Sequence, residues 1–94
     1  MTTEVVNDAS TSRYGLIVDG ERIGELEYDI RRNMIILFHT EVDPGKRRAG
    51  WGGQFVREVL DQVRTNTPYR VVAACPFVAN WIEDNPEYAD LLER

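Results

Sequence analysis

Apolar and polar residues alternate along the first half of the chain, which is typical of antiparallel strands with one buried face. The alternation runs over residues 13–18 and returns from Arg22 to Ile30. Between these segments lies Asp19-Gly20, a pair that favours a tight hairpin turn. The pattern therefore predicts two strands joined as a β-hairpin.

A longer apolar run follows at residues 34–38 and continues to Val42, where Pro44-Gly45 ends it. Because the run has no polar interruption before His39, it predicts a central strand that is covered on both faces.

The period changes from two to about 3.6 beyond Gly50. Apolar residues at this spacing are Phe55, Val56, Val59, Leu60 and Val63. They predict an amphipathic helix packed on the sheet, and residues 69–75 then predict a second buried strand, reached by a right-handed crossover. Residues 77–83 predict a weaker helix, and residues 88–92 a last helical turn.

These elements predict an α/β (α+β) fold in a chain of 94 residues, of which 43% are hydrophobic. Residues 1–12 are mostly polar, so they are expected to form a flexible lead-in. Residues 13–94 are expected to form one domain, with too little chain for a separate substrate domain.

The formal charge of −5 argues against nucleic-acid binding, which depends on many cations that neutralise phosphates. No apolar run is long enough to cross a membrane, and no signal peptide is evident, so we expect a cytoplasmic protein. Cys75 is the one cysteine and is expected to be a free thiol. One His and one Cys far apart in sequence predict no metal site.

The strongest chemical signal is a cationic, glycine-rich segment between the central strand and the amphipathic helix. Its residues are Lys46, Arg47, Arg48, Ala49, Gly50, Trp51, Gly52 and Gly53. Glycines let a ligand approach the backbone, and the free N–H groups of a helix start attract anions. Three cations beside the positive end of a helix dipole repel it unless an anion is bound. The alternative is a glycine turn with a solvated cationic edge.

The segment resembles a known phosphate loop. Arg47-x-x-Gly50-x-Gly52 matches the [Gln/Arg]-x-x-Gly-x-[Gly/Ala] pyrophosphate loop of the GNAT N-acetyltransferases, at the same strand-to-helix position. Three further signatures resemble the small GNAT-like branch of about one hundred residues. They are His39-Thr40-Glu41-Val42, Cys75 after a Val-Ala strand, and Asn85-Pro86-Glu87-Tyr88. The resemblance spans about residues 14–92, and Arg48 and Trp51 depart from the family pattern.

The resemblance implies a minimal GNAT-like fold with a mixed, mostly antiparallel sheet, and acetyl-CoA or coenzyme A as its ligand. Thr40, Glu41 and Val42 would pair with the pantetheine arm, and residues 46–53 would hold the pyrophosphate. Cys75 would lie at the acyl end of the cofactor. Asn80 and Tyr88 are expected to contact the cofactor or to protonate the leaving thiolate.

Three residues are candidates for the chemistry of acyl transfer, which needs a deprotonated amine and a stabilised leaving group. Glu41 could take a proton, or it could pair with a neighbouring cation at the surface. His39 shares its strand face, and an imidazole is a common general base, but a structural role is the alternative. Cys75 could accept an acyl group, or it could be an inert packing residue.

The sequence thus predicts an acetyl-CoA-dependent N-acetyltransferase, as a monomer or weak homodimer, that acts on an amine of unknown identity. Acidic residues in the first hairpin and at the C-terminus would attract a cationic amine, although a solvated surface is the simpler explanation of them. The main alternative is a CoA-binding module without turnover. A ligand-free interaction domain is the third hypothesis.

Overall fold

A five-stranded sheet forms the framework of the protein. The computed structural model describes residues 2–45 and 50–94. The strands lie in the order β1-β2-β3-β4-β5. Neighbours are antiparallel except β4 and β5, which are parallel. The strand bounds are β1 Thr3–Asp8, β2 Arg13–Val18, β3 Glu21–Arg31, β4 Met34–Val42 and β5 Arg70–Ala73.

The predicted hairpin between β2 and β3 is confirmed. Asp19 and Gly20 both have positive φ angles, of 49° and 84°, as a type I′ turn requires. Glycine adopts this conformation without strain, and aspartate tolerates it better than most residues. The turn sets the pairing of Val18 with Glu21, and a register shift between Leu16 and Ile17 then places Tyr14 opposite Leu26, both of them buried.

The prediction of a flexible lead-in over residues 1–12 is wrong for most of that segment. Thr3–Asp8 forms β1, an edge strand that pairs with β2 from Thr3–Val18 to Asp8–Arg13. Contacts from distant parts of the chain hold it in place. The Gln62 amide donates to the Val5 carbonyl (2.8 Å), and the Tyr28 hydroxyl donates to the Asn7 side chain (2.7 Å). These partners lie far away in sequence, so the local pattern gave no signal for the strand.

The central strand β4 is found where the apolar run predicted it, but the expectation that both faces are covered is wrong. Ile35 and Leu37 are buried, whereas Phe38 is 47% exposed. Phe38 lies on the sheet face that the helices do not cover. A β-bulge occurs at this residue: Glu27 pairs with His39 and Tyr28 with Leu37, so Phe38 is an extra residue. After the bulge, the side chains that face each side of the sheet are shifted by one position.

The helices cover one face of the sheet. They are α1 (Trp51–Asn66), α2 (Pro76–Asp84) and a C-terminal 3-10 helix (Pro86–Glu93). The predicted apolar stripe of α1 is confirmed as fully buried, in a core shared with Leu16, Leu26 and Leu37 of the sheet. None of the helices described here is both long and apolar enough for a membrane span.

The opposite sheet face is polar in its middle. Arg13 lies within 3.3–3.5 Å of Glu27 and Glu25, and Arg22 lies 3.6 Å from Glu25. These pairs are partly exposed, so each contributes little to stability. The structure is therefore a mixed α/β fold with a mostly antiparallel sheet, as the sequence predicted.

Candidate functional site

A cavity opens where β4 and β5 separate. Their pairing runs only from Met34–Arg70 to Leu37–Ala73, and the Cys75 N–H then donates to the Leu37 carbonyl (2.9 Å). Beyond this bond the chain turns away from β4 into α2. The cavity has a volume of about 450 Å³. Its described lining consists of Thr40, Val42, Gly50, Gly52, Gly53 and Phe77.

The start of α1 forms one wall of this cavity. Gly50 lies at the N-cap with φ 76° and ψ 14°, in the left-handed region, and it has no side chain to cap the helix. The first turn, Trp51 to Gln54, is fully described and has no acidic residue. The Gln54 N–H donates to the Gly50 carbonyl (3.3 Å), but the N–H groups before it are the ones an α-helix leaves without an internal partner. This end of α1 therefore presents donors and a positive dipole end.

Gly52 and Gly53 also allow α1 and α2 to approach closely. A Cβ atom on Gly52 would lie 2.9 Å from Phe77 Cζ, and one on Gly53 would lie 3.3 Å from Trp81 Nε1. The two glycines therefore serve helix packing as well as the cavity, a role that the loop pattern alone did not reveal. Lys46, Arg47, Arg48 and Ala49, which were predicted to hold phosphate, lie outside the described residues.

Cys75 caps the N-terminus of α2, directly behind the cavity wall. It is 7% exposed, and its Sγ lies 3.5 Å from Thr40 Oγ1. Burial alone would raise the pKa of the thiol. The neutral thiol donates to Thr40 Oγ1, and it makes no cap hydrogen bond with α2. The Thr40 hydroxyl first, and then the nearby backbone of Val78 and Phe77, favour the thiolate more than burial disfavours it, so the pKa of the thiol is lowered. The sequence did carry a signal for this cap, because proline at position 76 is typical of a first helical residue.

His39 and Glu41 lie together on the opposite face of β4. Their Nε2 and Oε2 atoms are 3.8 Å apart, and the two side chains are 51% and 67% exposed. They share the face predicted from strand parity, next to Glu27 and Glu25 of β3. Thr40 and Val42 point to the cavity side instead, so the strand separates the three catalytic candidates into two groups.

The match to a protein family agrees with this geometry. Residues 13–91 match the model of a family described as GCN5-related N-acetyl-transferase. The chain belongs to this family. Members transfer acetyl groups, normally from acetyl-CoA. A search of curated proteins found no match. Within this GCN5-related fold, the glycine start of α1 follows the central strand as the pyrophosphate-loop resemblance implied.

Two residues predicted to contact the cofactor lie elsewhere in this GCN5-related protein. Asn80 is exposed on α2 and is not among the described residues that line the cavity. Tyr88 is buried on the 3-10 helix, where its hydroxyl donates to Asp61 Oδ1 (2.7 Å) and accepts from Arg57 (3.2 Å). Burial and the bond to Asp61 raise the pKa of Tyr88. Neither residue is among the described residues that line the cavity, and their contact with the cofactor stays a prediction.

Replacing Tyr88 with phenylalanine tests this placement. The hydroxyl joins the 3-10 helix to α1, so we expect the Tyr88→Phe protein to lose about 1–2 kcal/mol of unfolding free energy in urea denaturation. We expect acetyl-CoA affinity, measured by calorimetry, to stay within about twofold of the wild type, since twofold is only about 0.4 kcal/mol. Unchanged stability with a large loss of affinity would instead return Tyr88 to the cofactor site.

Proposed function

We propose that the protein is an acetyl-CoA-dependent N-acetyltransferase whose cofactor binds in the cavity between β4, α1 and α2. The observation that carries this proposal is the glycine-lined helix start facing that cavity, in a chain of the GCN5-related family. Acetyl-CoA, when bound, supplies an activated acetyl thioester. The protein contributes binding, orientation and control of protons.

The described residues fit this cofactor. The cavity wall includes Gly50, Gly52 and Gly53, which have no side chains. A pyrophosphate can therefore reach the first N–H groups of α1, where the helix dipole favours negative charge. Arg47 is proposed to add a cation there, from its place in the family pattern. The ladder between β4 and β5 ends at the pair Leu37–Ala73, and the backbone of β4 near Thr40 is proposed to hydrogen-bond an extended ligand.

The acceptor is proposed to be a cationic amine that approaches from the other side of β4. A second cavity of about 350 Å³ lies there, and Glu25, Glu41 and Asp43 line it together with Arg22. Glu25, Glu27 and Asp29 are paired with arginines, which weakens their attraction for a substrate. Glu41 has only His39 as its charged neighbour within 4.0 Å among the described residues. This pair is proposed to take the proton from the ammonium group.

The proposal is tested first by calorimetric titration with acetyl-CoA. We expect micromolar binding, roughly −8 kcal/mol, and at least about tenfold weaker binding for Arg47→Ala. Arg31→Ala is the matched control, since Arg31 pairs with Asp29 far from the cavity at the end of β3 (2.8 Å), and its affinity should not change. Failure of the folded wild type to bind would overturn the cofactor assignment.

Turnover is then measured as release of the CoA thiol that depends on an added amine. We expect polyamines and lysine-rich peptides to support release, and Glu41→Gln to reduce it at least about tenfold while acetyl-CoA binding is retained. Binding without release across the whole amine panel would favour the alternative, a CoA-binding module. That alternative draws support from the exposure of the two candidate bases, 51% for His39 and 67% for Glu41.

A further inference from the structure

The family resemblance gives Thr40 a role only through its backbone, which would pair with the pantetheine arm. The side chain of Thr40 makes further contacts that this role does not explain. Its side chain lines the proposed cofactor cavity, and its hydroxyl oxygen also lies 3.5 Å from the Cys75 sulfur. Cys75 itself is 7% exposed and is not among the described lining residues. The Thr40 hydroxyl therefore stands between the thiol and the cavity.

We infer that Thr40 is a positioning residue that holds the Cys75 sulfur behind the cavity wall and stabilises its thiolate by donating a hydrogen bond. The inference rests on the proposed function only in taking the cavity to be the binding site of acetyl-CoA. The contact between the two side chains belongs to the structure itself, and it can be tested without any turnover.

Few other groups near the Cys75 sulfur could position it or stabilise its thiolate. From α2, the N–H groups of Phe77 and Val78 face it, as expected at a helix N-cap. From β4, the Thr40 hydroxyl and backbone face it. Among the described residues, no charged side chain acts on this thiol. The hydroxyl is thus the one side-chain donor in the described part of the site, and a substitution can remove it.

The β-bulge at Phe38 creates this contact. Without the extra residue, position 40 would share the sheet face of Phe38 and Ile36 and would point away from the helices. With the bulge, Thr40 lies opposite Leu26 on the covered face. Cys75 lies beside Thr40 because its N–H donates to the Leu37 carbonyl. This bond fixes the position at which α2 starts.

A threonine suits both requirements of the site. Its hydroxyl accepts from the neutral thiol and donates to the thiolate, so the contact persists in both protonation states. Its methyl group keeps the half-buried wall apolar. Valine has nearly the same shape without the hydroxyl, and serine retains the hydroxyl without the methyl group, so the pair isolates the hydrogen bond.

The experiment is a titration of the Cys75 thiolate by its absorbance near 240 nm, with the Cys75→Ala protein subtracted to remove tyrosine ionisation. One cysteine in the chain makes the signal unambiguous. A lost donor to the charged form raises the thiol pKa, so we expect the midpoint of Thr40→Val to rise by about one pH unit, a tenfold loss of thiolate below that midpoint. Thr40→Ser should restore the wild-type midpoint to within about 0.3 units.

The matched control is Thr67→Val, which removes another half-buried threonine hydroxyl, one that donates to the Val63 carbonyl (2.8 Å) at the far end of α1. It should leave the midpoint unchanged. An unshifted Thr40→Val midpoint, or a serine variant that behaves like valine, would overturn the inference. Calorimetry with acetyl-CoA on the same proteins tests the proposed cofactor site separately from the role of Thr40. The midpoint of the thiol titration can shift whether or not the cofactor binds.

Discussion

Acetyl-CoA binding is expected to weaken at least about tenfold, or 1.4 kcal/mol, when Gly52 is replaced by valine. The new Cβ atom would lie 2.9 Å from Phe77 Cζ, and the methyl groups would occupy the wall of the cavity beside the first N–H groups of α1. Valine has a higher helix propensity than glycine, so α1 itself should not be weakened by propensity. Calorimetric titration measures the affinity, and urea denaturation checks that the variant is folded.

Gln54→Val is the matched control for this experiment. It adds valine to the same turn of α1, but at an exposed position that is not among the described lining residues. We expect its affinity to equal that of the wild type. If Gly52→Val binds acetyl-CoA as tightly as the control does, the start of α1 is not the phosphate site, and the proposed cofactor position is wrong.

The second large effect concerns stability. Phe55 is fully buried in the core, and removing a buried aromatic ring typically costs about 3–5 kcal/mol through lost transfer energy and the cavity left behind. We therefore expect Phe55→Ala to lower the unfolding free energy by about that amount. This is a large share of the roughly 5–15 kcal/mol that stabilises a small domain. Urea denaturation measures the loss from the shift in midpoint.

Phe38→Ala provides the comparison. Its ring is 47% exposed at the bulge of β4, so we expect a loss below about 1 kcal/mol. Similar losses for the two variants would contradict the placement of Phe55 in the core and of Phe38 on the open face. A large change in the slope of the denaturation curve would indicate a change in the unfolded or native state instead.

The sequence predicted the elements whose signals are local. The hairpin turn depends on two adjacent residues that accept positive φ, Asp19 and Gly20, and the structure has both. The buried stripe of α1 depends on spacing within the helix and was predicted residue by residue. Strand β1 was missed because its stability comes from pairing with β2 and from side chains such as Gln62, which lie far along the chain.

In the candidate site, too, features with local signals were predicted and features that depend on long-range contacts were not. The sequence predicted the glycine-rich start of α1 because turns and helix starts depend on residues that are neighbours in sequence. The position of Tyr88 was not, since the bond between its hydroxyl and Asp61 depends on how the 3-10 helix packs against α1. The low thiol pKa of Cys75 was also missed, because its donors come from α2 and β4 rather than from a neighbouring cation.

The sequence by itself predicted the order of elements from β2 to the 3-10 helix, the glycine start of α1 and the shared face of His39 and Glu41. Only the tertiary structure decided which side of β4 each candidate occupies. One extra residue at the bulge shifts the alternation of side chains, and a shift of one position exchanges the two faces. That exchange brings Thr40 to Cys75 and leaves Glu41 on the open face.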